Sequence, residues 1–425
     1  MTSNLQQYFR TRENPSALIG ACLLALLLGV TLVVCESTFE VRSDLELYYT
    51  YSSQVVQGKL PYRDFPVEYP PLALLPMLVP QWLNFVTFHN HLGYGFFFSV
   101  QNILIVCAIG LLVLKVAAIQ QLPRKPIQIL MVYTFLVVIS APLILWRYDV
   151  FCALLTIWAV WLALIDRPLF AGIALGFGIA AKLYPLLLIP VFIIHCLARK
   201  QYAAAIRLLL GSAIVLLLLL LLLSPLGLDN LLSFLTYHKL RGLQLETLPS
   251  GLLLLTHKLG WIPVDIVTNY GAFHLESPPV QLILQGLPIL VIIGLIGALA
   301  SYLSRLKNRL NGNRSLSSRH LTLYILATLL VLLLTNKVFS PQYLIWLLPF
   351  IPLRPVKQIA LFSLVSVLSL IVYPVLYDSL LDKSLVPILL LNLRNSLVVV
   401  LALWMFNRPI YPSGKVLSMR ADRYK

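Results

Sequence analysis

The chain alternates long apolar runs with short polar stretches, and the length of the runs decides what they can be. Many exceed the ~20 residues that carry a helix across a bilayer. Helices are expected near residues 16–35, 92–116, 127–146, 149–165, 168–183, 185–198, 208–226, 279–303, 320–335, 343–353, 357–376 and 384–406. The expected fold is all-α and integral to the membrane, a polytopic bundle of about 12 transmembrane helices. Residues 1–425 form a single domain on this reading. Two polar segments are longer than connections, a first outer loop over 36–91 with amphipathic or re-entrant helices and a second over 227–278. The run SALIGACLLALLLGVTLVVC is read as a retained first helix, since no small-x-small cleavage site follows it. The run PLALLPMLVPQWLNF (71–85) contains Pro71, Pro76 and Pro80 and is read as an interfacial or re-entrant helix held by Trp82. A full crossing there would put every later basic loop outside. The runs 168–183, 185–198 and 343–353 are short, and incomplete crossings survive only where protein or a wet cavity shields the backbone.

Composition agrees with the pattern and charge orients it. Hydrophobic residues make up 59% of the chain and charged residues 11%, against roughly a quarter charged in soluble domains. The net charge of +16 is carried by short clusters: Lys115/Arg124/Lys125, Arg199/Lys200/Arg207, Arg305 to Arg319, and Arg408 to Lys425. That is the positive-inside distribution of a multi-pass cell-membrane protein, with both termini cytoplasmic. No nucleic-acid-binding pattern accompanies it. Of the 16 carboxylates, only Glu13, Asp166 and Asp422 then face the cytoplasm. Cys22, Cys35, Cys107, Cys152 and Cys196 are odd in number, lie in apolar segments and form no CxxC, so they read as small apolar residues. No internal repeat is visible, which counts against transporter folds built from two related halves.

Five polar constellations fall on the outer side of this topology. The first is SDLELYYTYSSQVVQGKLPYRDFPVEYPP, where Ser43 and Glu46 are spaced as a capping box. Asp44 then sits in the first helical turn, either favouring the helix dipole or pointing into a cleft. Gly58 and Pro61 break the chain before Tyr62, Asp64, Glu68 and Tyr69, a mixture of Tyr and acid that suits a hydroxyl-rich ligand or an interfacial loop equally. The second is WRYD, whose Arg147 and Asp149 could simply pair with each other. The third is KLYP, Lys182 to Pro185 with Tyr184, where a lysine in an apolar run is either functional or snorkelling. The fourth is YHKLRGLQLE, with His238, Lys239, Arg241, Gln244 and Glu246; on a helix His238 and Arg241 share a face and could meet an anion. The fifth is NKVFSPQY, with Lys337, Gln342 and a helix-breaking Ser340–Pro341. Solvated helix ends explain such residues taken singly. Together they put acids and several cations on one membrane face of a chain that has neither GxxxxGK[ST] nor GxGxxG.

In this order the motifs resemble the polytopic glycosyltransferases of the C superfamily, most closely family 87. The resemblance rests on an acid after the first helix, G-x-x-P-Y-x-D…Y-P-P (Gly58 to Pro71), R-Y-D (Arg147 to Asp149) and K-x-Y-P (Lys182 to Pro185). It continues through H-x-x-R-G-L-Q-x-E (His238 to Glu246) and S-P-Q-Y (Ser340 to Tyr343), with Glu246-Thr247 where the family pattern leads to Glu-Ser. It implies an inverting hexosyl or pentosyl transfer, mannose favoured, from a polyprenyl-phosphate donor to a lipid or glycan acceptor at the outer face. Asp44 matches the catalytic base, and His238, Arg241, Lys182 and Lys337 are expected to stabilise the leaving phosphate. Tyr62, Asp64, Glu68, Tyr69, Arg147, Asp149, Tyr184, Gln244, Glu246 and Gln342 are expected to bind substrate. No cofactor, no metal and no nucleic acid is expected; the partners are donor, acceptor and membrane lipids. The competing readings are a transporter or flippase of an anionic or lipid-linked solute, and an O-antigen-type polymerase or ligase.

Overall fold

The structure, a computed structural model, describes residues 44–311 and 318–407. The expected helix at 16–35 and the Ser43 half of the capping box lie outside those residues. The chain opens with α1 (Leu45–Val56), a Pro71–Leu74 3-10 turn and α2 (Leu75–Val86). At 1.5 Å per residue the 12 residues of α2 reach only about 18 Å, short of the ~30 Å hydrocarbon. Trp82, Leu83, Phe85 and Val86 stand exposed on it. Then come α3 (His91–Ile119), α4 (Pro126–Ile139), a turn at Ala141–Ile144, α5 (Asp149–Leu164) and α6 (Pro168–Ala181). A 3-10 turn at Tyr184–Leu188 leads to α7 (Ile189–Ala198) and α8 (Tyr202–Leu223).

Residues 227–278 are not purely helical. After α9 (Ser233–Leu240) come β1 (Leu243–Gln244), α10 (Leu248–Lys258), β2 (Asp265–Asn269) and β3 (Ala272–Glu276). The strands form a small antiparallel sheet in the order β1-β3-β2. Tyr270 and Gly271 connect β2 to β3 with φ of 46° and 64°, the two left-handed residues of a tight hairpin turn. The fold is otherwise helical, as expected; the small sheet is an addition to it, and VTNYGAFHL, with alternating side chains and a turn glycine, reads as a hairpin. The chain closes with α11 (Val280–Asn311), α12 (Arg319–Thr335), α13 (Val356–Leu370), a turn at Tyr377–Leu381 and α14 (Leu385–Asn407).

Five helical stretches among the described residues are long and apolar enough to cross a membrane: His91–Ile119, Tyr202–Leu226, Val280–Leu306, Val356–Val375 and Leu385–Phe406. The remaining apolar helices are shorter, as expected for 168–183 and 185–198, so long helices stand beside short, broken ones. α12 shows why: from His320 to Leu333 it is buried along its whole length, so neighbours rather than lipid surround it. Residues 343–353, expected as a helix, are two buried 3-10 turns, Pro341–Trp346 and Ile351–Leu353. Each has a proline in its first two positions, Pro341 and Pro352, which supplies no N–H to an α-helical ladder. The run 127–146 breaks at Ser140, ahead of Pro142, and 357–376 breaks at Tyr373, whose backbone is extended ahead of Pro374.

Two devices hold the bundle. α6 and α8 approach so closely that a Cβ on Gly172 would lie 2.0 Å from the Leu208 carbonyl, and one on Gly211 2.2 Å from that of Leu169. At the basic end, arginines satisfy helix C-terminal carbonyls. Arg319 donates to the carbonyls of Gln120 and Gln121 after α3, and Arg305 to that of Phe406 in α14.

Candidate active site

The end of the bundle opposite these arginines holds a cavity of about 720 Å³, and helix breaks place its polar walls. α6 stops at Ala181, so Lys182 is extended (φ −161°, ψ 137°) and leaves the helix axis. The turn before α5 presents Arg147, held by Asn102 of α3, whose Nδ2 donates to the carbonyls of Ile144, Leu145 and Arg147 at 2.8, 3.1 and 3.1 Å. The α13 break presents Tyr373, and the Ser340–Pro341 break presents Gln342 and Tyr343.

Asp44 lines this cavity, as the residue before α1 rather than in its first turn. It makes no capping bond; its carboxylate pairs with the Arg147 guanidinium and accepts the Tyr48 hydroxyl at 3.2 Å. Glu46, the other half of the expected capping box, is exposed and pairs with His91 at 2.9 Å. Arg147 also donates to the Tyr373 hydroxyl at 3.1 Å. Arg147 and Asp149 therefore do not pair with each other. Asp149 accepts from Lys182 Nζ at 2.6 Å and from the Trp346 indole at 2.7 Å. Lys182 does not snorkel to the surface; its ammonium lies about 5 Å from the rings of Tyr148, Tyr343 and Trp346. Tyr184, Trp346 and Tyr343 stack in series at 4.2 and 4.1 Å.

The second polar segment completes the wall. α9 ends at Leu240 and Arg241 is non-helical (φ −56°, ψ 137°), so His238 and Arg241 do not share a helix face, yet both line the cavity. Burial, with Arg241, Lys182 and Lys337 nearby, drives the His238 pKa down to about 4. His238 is thus a neutral imidazole near pH 7, and can meet an anion only as a hydrogen-bond donor. Arg241 makes no ion pair among the described residues, and its Nε has no hydrogen-bond partner. Lys337 donates to the carbonyls of Lys239 and Arg241 at 2.8 and 2.7 Å, which fixes the Arg241 backbone. Gln244 ties the same segment to the Ser340 break, donating to Ser340 Oγ at 2.9 Å and accepting from Phe339 N at 2.8 Å.

Glu68, Tyr69, Tyr184, Gln244, Glu246 and Gln342 line the cavity as expected of substrate-binding residues. Tyr62 and Asp64 do not. The Tyr62 hydroxyl donates to the Tyr69 carbonyl at 2.8 Å, and Asp64 accepts from Leu60 N at 2.8 Å and Arg63 at 3.0 Å on an exposed loop. Both shape the Pro-rich loop instead of contributing to the wall. The sequence reading missed Asn102, Tyr148, Trp346, Tyr373 and Arg394. Of these, Arg394 carried a signal, a charge within an apolar span. Tyr148 lay within the R-Y-D motif, while Trp346 and Tyr373 carried no signal, since aromatic residues are common throughout the chain.

The flank of the cavity beside Lys182 is apolar, with Leu183, Leu186, Leu187 and Leu332, and Leu186 is half exposed on the outside of the bundle. Among the described residues no cluster of His, Cys, Asp or Glu is arranged to hold a metal ion. Compared with known families, residues 67–335, more than half of the chain, match the model of glycosyltransferase family 87. No curated protein sequence matches.

Proposed function

From the premise that this chain belongs to glycosyltransferase family 87 and is a membrane glycosyltransferase, we propose a polyprenyl-phosphate sugar as its donor. The sugar is a hexose or pentose, mannose by preference, passed to a lipid or glycan acceptor at the extracytoplasmic face of the cell membrane. The observation that carries this reading is a single cavity with Asp44, an unpaired Arg241 and Lys182 on its polar walls and leucines on its lipid-side flank. The two cations suit the phosphate diester, the leucines its hydrocarbon tail, and the carboxylate the acceptor hydroxyl.

Asp44 takes the proton of the acceptor hydroxyl as that oxygen attacks the anomeric carbon. The bond from that carbon to the phosphate oxygen breaks on the opposite face, so configuration inverts and the lipid phosphate leaves. Arg147 and Tyr48 hold the Asp44 carboxylate in place. Lys182 and Arg241 meet the charge that grows on the departing oxygen, in a site where few waters compete. His238 contributes a hydrogen bond, and Asp149 fixes the Lys182 ammonium. These side chains supply the charge stabilisation, and the reaction so written calls on no metal.

The test uses protein in proteoliposomes with polyprenyl-phosphate, polyprenyl-pyrophosphate and nucleotide sugars supplied separately. Transfer is expected from the first alone, and Asp44→Asn is expected to lower it by about 10²–10⁴ per folded molecule, with thermal unfolding measured alongside to correct for the loss of the Arg147 partner. Full activity in Asp44→Asn would move the base to Glu68. Solute flux without a covalent product would replace this reading with a transporter.

A further inference from the structure

Arg394 lies within α14 and is fully buried. A guanidinium in an apolar span is costly unless something holds it there. Its Nη2 donates to the Glu246 carbonyl at 3.0 Å, and its plane lies 4.2 Å from the Phe339 ring centre. The neighbouring Asn395 donates to the Thr247 carbonyl at 3.2 Å. α14 thus grips the segment that carries Glu246 into the cavity wall. The Glu246 side chain is 1% exposed and its Oε2 has no hydrogen-bond partner.

Three cations act on that carboxyl, each from a different element: Arg394 of α14, Arg147 of the turn before α5, and Arg241 of the segment after α9. Behind them stand Asp44 and Tyr373 on Arg147, and His238, His274 and Lys337 around Arg241. β1 and the start of α10 bring the uncharged Gln244, Thr247 and Ser250, and the titratable His257 and Lys258 of α10 lie in its last turn. A phosphate settling on Arg241 therefore competes with Glu246 for one of the charges that keep it ionised. Around a carboxyl as buried as Glu246, two negative charges cannot share that cation at the cost of one.

We propose that Glu246 takes up a proton from solvent when an anionic lipid-phosphate donor enters the Arg241 side of the cavity, so that the site exchanges one negative charge for another. The proposal rests on the donor class inferred above. Burial already holds the Glu246 carboxyl up to about 7, against an ordinary value of 4.5, so the proton is within reach near neutrality. Burial holds His238 and His274 down to about 4, and they stay neutral over the same range. A ligand that raises the proton affinity of a carboxyl must bind less tightly as pH rises above the free carboxyl's pKa.

The experiment measures the Kd of a short-chain polyprenyl methyl phosphodiester on the full-length protein in nanodiscs, at pH 6.5 and 8.5. A diester keeps one charge throughout, so any pH dependence belongs to the protein. Wild type is expected to bind roughly tenfold more weakly at the higher pH, and Glu246→Gln to bind equally at both. The same pH dependence in both proteins would overturn the proposal. Calorimetry of wild type in two buffers of different protonation enthalpy gives a second measure that does not depend on the variant folding. Uptake of a substantial fraction of a proton per site near pH 7.5 supports the inference, and none overturns it. A probe that binds neither protein at either pH would instead overturn the lipid-phosphate donor, and this inference with it.

Discussion

Arg147 and Asp149 illustrate how far pairing can depart from proximity in sequence. Each turns away from the other, Arg147 to Asp44 before α1 and Asp149 to Lys182 after α6. Asp149 is 1% exposed, so its charge depends on Lys182 and the Trp346 indole. Removing one partner of such a pair costs about 3–5 kcal/mol, because the other charge stays buried. Lys182→Met is therefore expected to lower the thermal midpoint in detergent, and Lys182→Met with Asp149→Leu to recover most of it. Neither should recover transfer, which separates the lysine's chemistry from its structural charge. The histidines make a second prediction. His238 and His274 have folded pKa values of about 4, below the ordinary 6.5, so the unfolded chain binds more protons between those values. Their contribution to stability is complete above pH 6.5 and is lost as pH falls toward 4. His238→Gln with His274→Gln is expected to flatten the thermal midpoint against pH across that window; an unchanged slope would assign the acid sensitivity to other groups.

Helix breaks matter more to this site than helices do. Lys182, Arg147, Tyr373 and Ser340 all sit beyond a helix break, and two of them, Tyr373 and Ser340, directly precede a proline. Backbone freed from its ladder is affordable at such depth only beside a polar cavity or within protein. The breaks were legible as prolines in apolar runs. Their consequence for 343–353 was not, because an apolar run buried in protein has the same composition as one facing lipid. The close contact of α6 and α8 also serves the site, since α6 delivers Lys182. Gly211→Ala is expected to force the two helices apart at a cost of about 1–3 kcal/mol, with a lower thermal midpoint and reduced transfer. Gly297→Ala, on α11 with open space around it, is the matched control and should be neutral.

The whole molecule is polarised, with arginines closing helix ends at one pole and the carboxylate-rich cavity at the other. If the positive-inside pattern sets the orientation, the β2–β3 hairpin faces the outside and the turn between α7 and α8 faces the cytoplasm. In a cysteine-free background, Asn269→Cys should react with an impermeant maleimide applied to intact cells, and Lys200→Cys only after the cells are opened. Both positions are exposed, so labelling of the two from the same side would overturn the orientation and the outer-face reaction together.

Hydrophobic run length alone marked this chain as a membrane protein, and basic clusters predict which loops share a side, because both effects depend on local composition. The motif residues were also legible: Asp44, Lys182, Arg241 and Glu246 were singled out by type and order, and all of them line the cavity. Tertiary structure decided what each one does. Arg394 meets Glu246 across 148 residues, and Trp346 meets Asp149 across 197. Burial made His238 neutral and brought Glu246 near neutrality. Tyr62 and Asp64 share a motif with Glu68 but turn to their own loop. Charge state and partnership depend on the surroundings assembled by packing, and no spacing along the chain encodes them. The acidic segment after the first apolar run therefore announced a site, while the fold chose which of its carboxylates belong to it.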